Sequence, residues 1–295
     1  MTSHLWTVIL AAGAGRRLTS VTGTVPKQFW RSGLAPSLLE MTIDRFAPLA
    51  PPEHTLVVVD RSHVSHVQTH PGLETAARIL YQPLDRGTAA GVLYAILPVL
   101  ASDPDAIVVL SPSDHGVNDE AQFRSGILEA ARHVRVRGGV VLFGVEAEDD
   151  RDDYGWIVQG ARVGSTSPRL RRVVHFEEKP TPVRAASLRA SGAIWNTMVL
   201  VARVRDLFAL FERATPELAQ VFEDAAGLST ADRAHFLAAV YSGLPTFDFS
   251  HHVLGSVTDL IAYEWPASLG WSDLGTPARL EHWRARPRAR RIGAA

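Results

Sequence analysis

The chain has 295 residues, 46% of them hydrophobic, enough to bury a sizeable core as one large or two small domains. A formal net charge of −1 provides no basic field, which argues against general nucleic-acid binding, and the lack of cysteine excludes disulfides, thiolate zinc sites and cysteine nucleophiles. The opening apolar run, Leu5 to Ala12, is broken by Gly13 and Arg16 and is too short for a signal peptide, and no segment reaches the ~20 apolar residues of a membrane helix. A cytoplasmic protein with neither nucleic acid nor membrane as a partner is the default expectation.

Short apolar runs rich in β-branched residues recur as WTVILAA, HTLVVVD, ARILYQ, AIVVLSP and GGVVLFGV. Between most of them lie helix-compatible stretches: SLLEMTIDRFAPL, GTAAGVLYAILPVLA and DEAQFRSGILEAARHV. Such alternation, with strands apolar on both faces, predicts a parallel α/β sheet covered by helices over about residues 1–145. After Val145 the pattern changes. EAEDDRDDYG reads as a solvated acidic loop, YGWIVQG and RLRRVVHFEEKP as paired strands, and AIWNTMVLVAR as a further strand. A mostly helical block follows, VRDLFALFERATPELAQVFEDA and TADRAHFLAAVYSGL, then a late strand in DLIAYEWP and a closing helix in TPARLEHWRA. No repeat with a period of about 20–50 residues is visible, so a solenoid is not expected. Residues 286–295 read as a frayed basic tail.

The stretch VILAAGAGRRLTSVTGTVPKQF runs the first strand into a small, basic loop instead of a tight turn. The strand should end at the carboxyl edge of the sheet, where open α/β folds bind ligands. Glycines there let backbone N–H groups approach a phosphate, and Arg16, Arg17 and Lys27 add positive charge. The dinucleotide pattern G-x-G-x-x-G fails at Leu18, and the phosphate loop G-x-x-x-x-G-K-[ST] fails for want of a Gly-Lys pair.

The full pattern L-A-A-G-x-G-x-R-L, with P-K-Q-F following, resembles the sugar-phosphate nucleotidyltransferases, and is most similar to their mannose-1-phosphate guanylyltransferase branch. The resemblance continues in order through SPSDHGV, FGVEAEDDRDDYGWI, VVHFEEKPT, IWNTMVLV, TFDFSHHVL and GWSDLGTP, over about residues 5–283. It implies a nucleotide-diphospho-sugar transferase fold: a Rossmann-like mixed, mostly parallel sheet flanked by helices, with a smaller sugar-binding β/α part. One domain, 1–285, would hold a nucleotide-binding half to about 145 and a sugar-phosphate-binding half beyond. The reaction implied is attack of a sugar 1-phosphate oxygen on the α-phosphorus of a nucleoside triphosphate, with pyrophosphate leaving. Such chemistry needs cations, in-line positioning and stabilisation of the leaving charge.

By the same resemblance, the nucleotide would be held by Leu10, Ala11, Ala12, Gly13, Gly15, Arg16, Arg17 and Lys27, with Gln82, Gly87 and Thr88 at the base. Arg17 would take most of the leaving pyrophosphate. Asp114 and Asp273 match the family's metal-binding acids, with Mg2+ as the expected ion, which uses few carboxylates plus substrate phosphates. Gly155, Glu178 and Asn196 would contact sugar hydroxyls, and Lys179 the sugar's phosphate. Arg17, Lys27, Asp114, Lys179 and Asp273 form the expected catalytic set. A homodimer is compatible with this reading.

Four positions depart from the guanylyl pattern. Arg16 replaces Thr or Ser. Gly87 stands for Asn, and QPLDRGTAAG aligns equally with the Q-P-x-x-x-G-x-A pattern of thymidylyl and uridylyl relatives. Met198 fills the small Gly position of W-N-S-G, and Val253 falls where Glu is common. GTP with mannose 1-phosphate is therefore the first expectation. Another base (dTTP, UTP or ATP) with another hexose or cyclitol phosphate is the alternative, and a non-catalytic nucleotide-sugar-binding regulator is a third reading. The bifunctional relatives that add an isomerase domain are longer, so that second activity is not expected. The adjacent His251 and His252 and the acids Asp149, Asp150, Asp152 and Asp153 read as bland: neither has metal-site spacing.

Overall fold

The computed structural model describes residues 5–13, 15, 18–164 and 167–285. Among the described residues, nine strands form one sheet: β1 (Leu5–Leu10), β2 (Thr55–Asp60), β3 (Arg78–Gln82), β4 (Ile107–Pro112), β5 (Val140–Glu146), β6 (Gly155–Arg162), β7 (Leu170–Glu178), β8 (Ile194–Arg203) and β9 (Ile261–Trp265). Their order is β3-β2-β1-β4-β8-β5-β9-β7-β6, with β6 also pairing β8. The edge β3-β2-β1-β4 is parallel, as the alternation of apolar runs and helices predicts. Beyond it the sheet is mixed. β8 lies antiparallel to both β4 and β5, β5 and β9 are parallel, and β6 and β7 form the antiparallel pair read from their sequences.

Both faces of this sheet are covered, which is why β2 and β4 are apolar nearly throughout. Alternate residues feed two cores. Val8, Leu110 and Leu200 pack on one face with the helices Gly87–Ser102, Val204–Ala214 and Pro216–Ala226, while Ile9, Val109 and Val201 pack on the other with Leu38–Phe46 and Glu120–Arg137. Helix starts follow local chemistry. Ser37 and Glu40 form a reciprocal capping box, and the Asp119 carboxylate accepts from the Gln122 N–H at 2.9 Å. The closing helix Pro277–Ala285 is anchored by Leu280 and Trp283, packed against Leu38 and Leu274. No helix among the described residues is long and apolar enough to cross a membrane.

Candidate active site

A cavity of about 280 Å³ opens at the carboxyl ends of β1 to β4. Leu10, Ala12, Gly13 and Gly15 line it, while Ala11 is buried beneath, its N–H donating to the Val58 carbonyl at 2.7 Å. The loop is shaped by the glutamine of P-K-Q-F: Gln28 Nε2 donates to the carbonyls of Ala11 and Gly13 at 2.7 and 2.9 Å. Gly15 has φ 64°, and a Cβ there would stand 2.7 Å from the Lys27 backbone nitrogen, so only glycine fits. Arg16 and Arg17 lie outside the described residues.

Gln82, Gly87 and Thr88 form one end of the cavity. Gln82 is 2% exposed; its Nε2 donates to the Leu84 carbonyl at 2.7 Å, while its buried Oε1 has no hydrogen-bond partner. Gly87 starts the helix Gly87–Ser102 with φ 79°, and a Cβ there would fall 2.4 Å from the Phe247 carbonyl oxygen. Backbone geometry therefore demands glycine at 87, whatever base is bound. Thr88 Oγ1 accepts from the Phe249 N–H at 2.7 Å, fastening the same segment.

Lys27, Asp114 and Asp273 come together beside the cavity, of which Asp114 forms part of the wall. Lys27 is 5% exposed; its ammonium group donates to the Asp273 carbonyl at 2.5 Å and pairs with Asp114 Oδ2 at 3.0 Å. The charge expected on the triphosphate thus ties two loops together here. Asp273 is 8% exposed. Its Oδ1 accepts from the Tyr154 hydroxyl at 2.8 Å and the Gly275 N–H at 3.1 Å, and its Oδ2 from Arg279 Nη1 at 2.8 Å. Arg279 also grips Asp153 through Nη2 at 3.1 and 3.0 Å and lies over the Tyr154 ring. Burial pushes both site carboxyls up, but Lys27 beside Asp114, and Arg279 with the Tyr154 hydroxyl and the Gly275 N–H at Asp273, outweigh it, so both stay below the ordinary range and ionised. Burial brings His115 down to about 4, leaving it neutral.

Two ionised carboxylates are the oxygen donors a hard divalent cation takes, and their number suits an ion that completes its shell with phosphate and water. On Asp114, Oδ2 is taken by Lys27, while Oδ1 stands 3.9 Å from His115 Nε2, beyond hydrogen-bond reach. Three of the four acceptor positions on Asp273 are taken, leaving one on Oδ2. Such a pair suits a hard divalent cation such as Mg2+, and Asp114 is the more open carboxylate of the two.

Among the residues expected to contact the sugar, β6 and β7 place Gly155 opposite Glu178, and β8 brings in Asn196. A Cβ on Gly155 would meet Glu178 Oε2 at 2.6 Å and Asn196 Cβ at 3.3 Å, so the three expected hydroxyl contacts share one place. Lys179 is mostly exposed, in a left-handed conformation with φ 49°, its ammonium 3.4 Å from Glu178 Oε1. Burial raises the Glu178 carboxyl, and Asp248 adds to this against the pull of Lys179. Met198 lines the cavity beside β1 at φ 59°, a backbone state that explains why glycine suits this position; its sulfur accepts from Ser250 Oγ at 2.9 Å.

Sequence reasoning missed Tyr154, Arg279, Asp153 and Ser250 as parts of this site. Asp153 belongs to the acidic loop expected to be solvated, yet it holds Arg279. The only local signal is the Y of DDYGW beside Gly155; an ion pair spanning 126 residues leaves none.

A family model described as Nucleotidyl transferase matches residues 6–286. The chain is 28% identical over 281 residues to the xanthan biosynthesis protein XanB of Xanthomonas campestris pv. campestris, covering 93% of this chain and 58% of that protein. Against a mannose-1-phosphate guanylyltransferase of Escherichia coli, identity is 26% over 289 residues, with 95% and 60% covered. The chain thus spans about three fifths of the length of these curated relatives. A crystal structure described as mannose-1-phosphate geranyltransferase from Thermus thermophilus superposes with a TM-score of 0.83 at 28% identity, covering 96% of this chain and 80% of that one. The inositol-1-phosphate CTP transferase of T. maritima, at 15% identity and a TM-score of 0.59 over 95% of this chain and 94% of that one, shares the fold.

Proposed function

This chain belongs to the nucleotidyl transferase family, and from that premise we propose that it joins a nucleoside triphosphate to a sugar 1-phosphate, with GTP and mannose 1-phosphate as the leading pair. An oxygen of the sugar phosphate forms a bond to the α-phosphorus. The bond from that phosphorus to the β-phosphate bridging oxygen breaks, and pyrophosphate leaves with the bond electrons. The observation that carries this reading is the meeting of Lys27, Asp114 and Asp273 beside the Gln28-pinned glycine loop. Lys27 orients the Asp114 carboxylate, ties it to the Asp273 main chain and supplies fixed positive charge at the phosphate end. Glu178 and Asn196 receive hydroxyls of the acceptor, and Lys179, left-handed and exposed, reaches its phosphate. Magnesium, held by Asp114 and Asp273, would neutralise charge on the triphosphate. Names of several relatives support the mannose and guanylyl choice.

Gln82 supports a base that presents an N–H to its unpartnered Oε1; guanine, uracil and thymine each carry a ring N–H. A second reading, the same transfer with dTTP or UTP, therefore draws on the same residue. Pyrophosphate release, measured for the four common triphosphates against a panel of sugar and cyclitol 1-phosphates, decides. Release with GTP and mannose 1-phosphate above all other pairs is expected. A clear preference for UTP or dTTP moves the assignment to the second reading, and silence across the matrix rejects both.

A further inference from the structure

We propose that a second cavity, on the opposite face of the sheet from the nucleotide cleft, binds an uncharged sugar ring. It encloses about 420 Å³, between the loop after β5, Trp271 and the closing helix, a size ordinary for small-ligand sites. Successive side chains of β8 face opposite ways. Met198 packs with one core and lines the nucleotide cleft, whereas Trp195 belongs to the other core and lines this second cavity. The two spaces open on opposite faces of β8 and adjoin through Tyr154 and Arg279, which line this cavity and also hold the Asp273 carboxylate.

Chemistry of the walls identifies the ligand. Tyr154, Trp195 and Trp271 supply aromatic surface for the C–H edges of a pyranose. The indole N–H groups of Trp195 and Trp271 and the Nε–H of Arg279 are buried with no hydrogen-bond partner, and Trp195 is only 5% exposed. Asp149 Oδ1 is a buried acceptor, likewise without a partner. Unpaired donors and an unpaired acceptor in one space call for groups that both accept and donate, which is what hydroxyls do. Charge excludes phosphate. Glu146, Glu148 and Asp149 line the cavity, Arg151 is already 2.9 Å from Asp149, and Arg279 is already held by Asp153 and Asp273. Among the described residues of its wall, no arginine is left over to balance an anionic ligand.

The test uses the full chain with nitrogen-15-labelled tryptophan, whose seven indoles each give one N–H resonance. It is titrated with the methyl α-glycosides of mannose, glucose and galactose, none of which carries a phosphate. At least one glycoside should shift the Trp195 and Trp271 resonances, assigned with Trp195→Phe and Trp271→Phe, in a saturable way. Affinity, read from the sugar's own signals, should fall about fivefold or more in Trp195→Phe, which keeps the ring and loses the N–H, and hold in Glu178→Gln of the acceptor site. If no glycoside moves either indole up to its solubility limit, the proposal is wrong. It is also wrong if Glu178→Gln abolishes binding while Trp195→Phe leaves it, because the sugar then sits in the acceptor cleft. Should Trp195→Phe fail to fold, the titration of the unaltered chain decides alone.

Discussion

Gly87 shows how a residue chosen by backbone geometry can look like one chosen by substrate. Its φ of 79° and the Phe247 carbonyl, 2.4 Å from where a Cβ would sit, leave room for hydrogen alone. Gly87→Ala should therefore cost about 2–3 kcal/mol of stability, read as a lower denaturant midpoint; an unchanged midpoint would show that Phe247 yields. The departure from the guanylyl pattern at this position then says little about the base. Lys27 carries a different load. Lys27→Met leaves Asp114 without its ammonium partner and the Asp273 carbonyl without its donor. The cost should be about 2 kcal/mol, below the 3–5 kcal/mol of a wholly buried pair because Asp114 is 32% exposed. Pyrophosphate release should drop with it, and full activity in this variant would remove Lys27 from the site. Glu178 adds a pH signature. Its carboxyl is raised, by burial first, so it protonates at a higher pH than a free glutamate. The KM for the sugar phosphate should rise as pH falls through the mildly acidic range, while Glu178→Gln should give a flat profile over the same range. At this scale, the glycines, Lys27 and Glu178 were legible because each sits in a short motif. Gln28's role as the pin of the loop was not, since its partners are backbone carbonyls that any sequence would supply.

At the scale of elements, the strands announce themselves because both faces of the sheet are buried, and each becomes a short apolar run between polar turns. What a run does not reveal is its neighbour. AIWNTMVLVAR reads as a strand of the second half, yet β8 lies between β4 and β5 at the centre, pairing Leu110 with Leu200 and Val141 with Val201. Pairing of distant segments is settled by the register of whole faces, which no local window contains. Arg279 is a second case. It ties the closing helix to the loop before β6 through Asp153 and to Asp273. Arg279→Ala should cost about 3 kcal/mol, the figure for breaking a buried ion pair, and amide exchange should quicken first in the helix Pro277–Ala285. Unchanged protection there would show that Leu280 and Trp283 hold the helix unaided. The same network changes what Asp273→Asn should do: this variant disturbs Tyr154 and Arg279 as well as a proposed metal ligand, so lost activity must be read beside its measured stability.

For the whole molecule, the central position of β8 decides whether two functional halves are two folding units. Strands β1 to β5 come from the first half, but β4 and β5 do not touch in the sheet; β8 stands between them. Without it, β4 presents an unpaired edge and β5 loses one of its two neighbours. The core on one face would also lose Leu200 and Ala202, and with the rest of the second half Leu207 and Phe211 of the helix Val204–Ala214, which packs on the helix Gly87–Ser102. At ~25 cal/mol per Å² of apolar surface, stripping several such side chains costs more than the few kcal/mol by which a domain is stable. A fragment of residues 1–145 should therefore fail to fold cooperatively, and the full chain should unfold in urea as one transition, with tryptophan fluorescence and far-ultraviolet circular dichroism tracing the same curve. The probes weight different regions, because five of the seven tryptophans (Trp156, Trp195, Trp265, Trp271 and Trp283) follow residue 145 and only Trp6 and Trp30 precede it, whereas the circular dichroism reports the strands and helices of both halves. Two separated transitions, or a fragment with a sharp melt of its own, would mean that β4 and β5 can pair without β8, and that the acceptor side was added to a fold already complete.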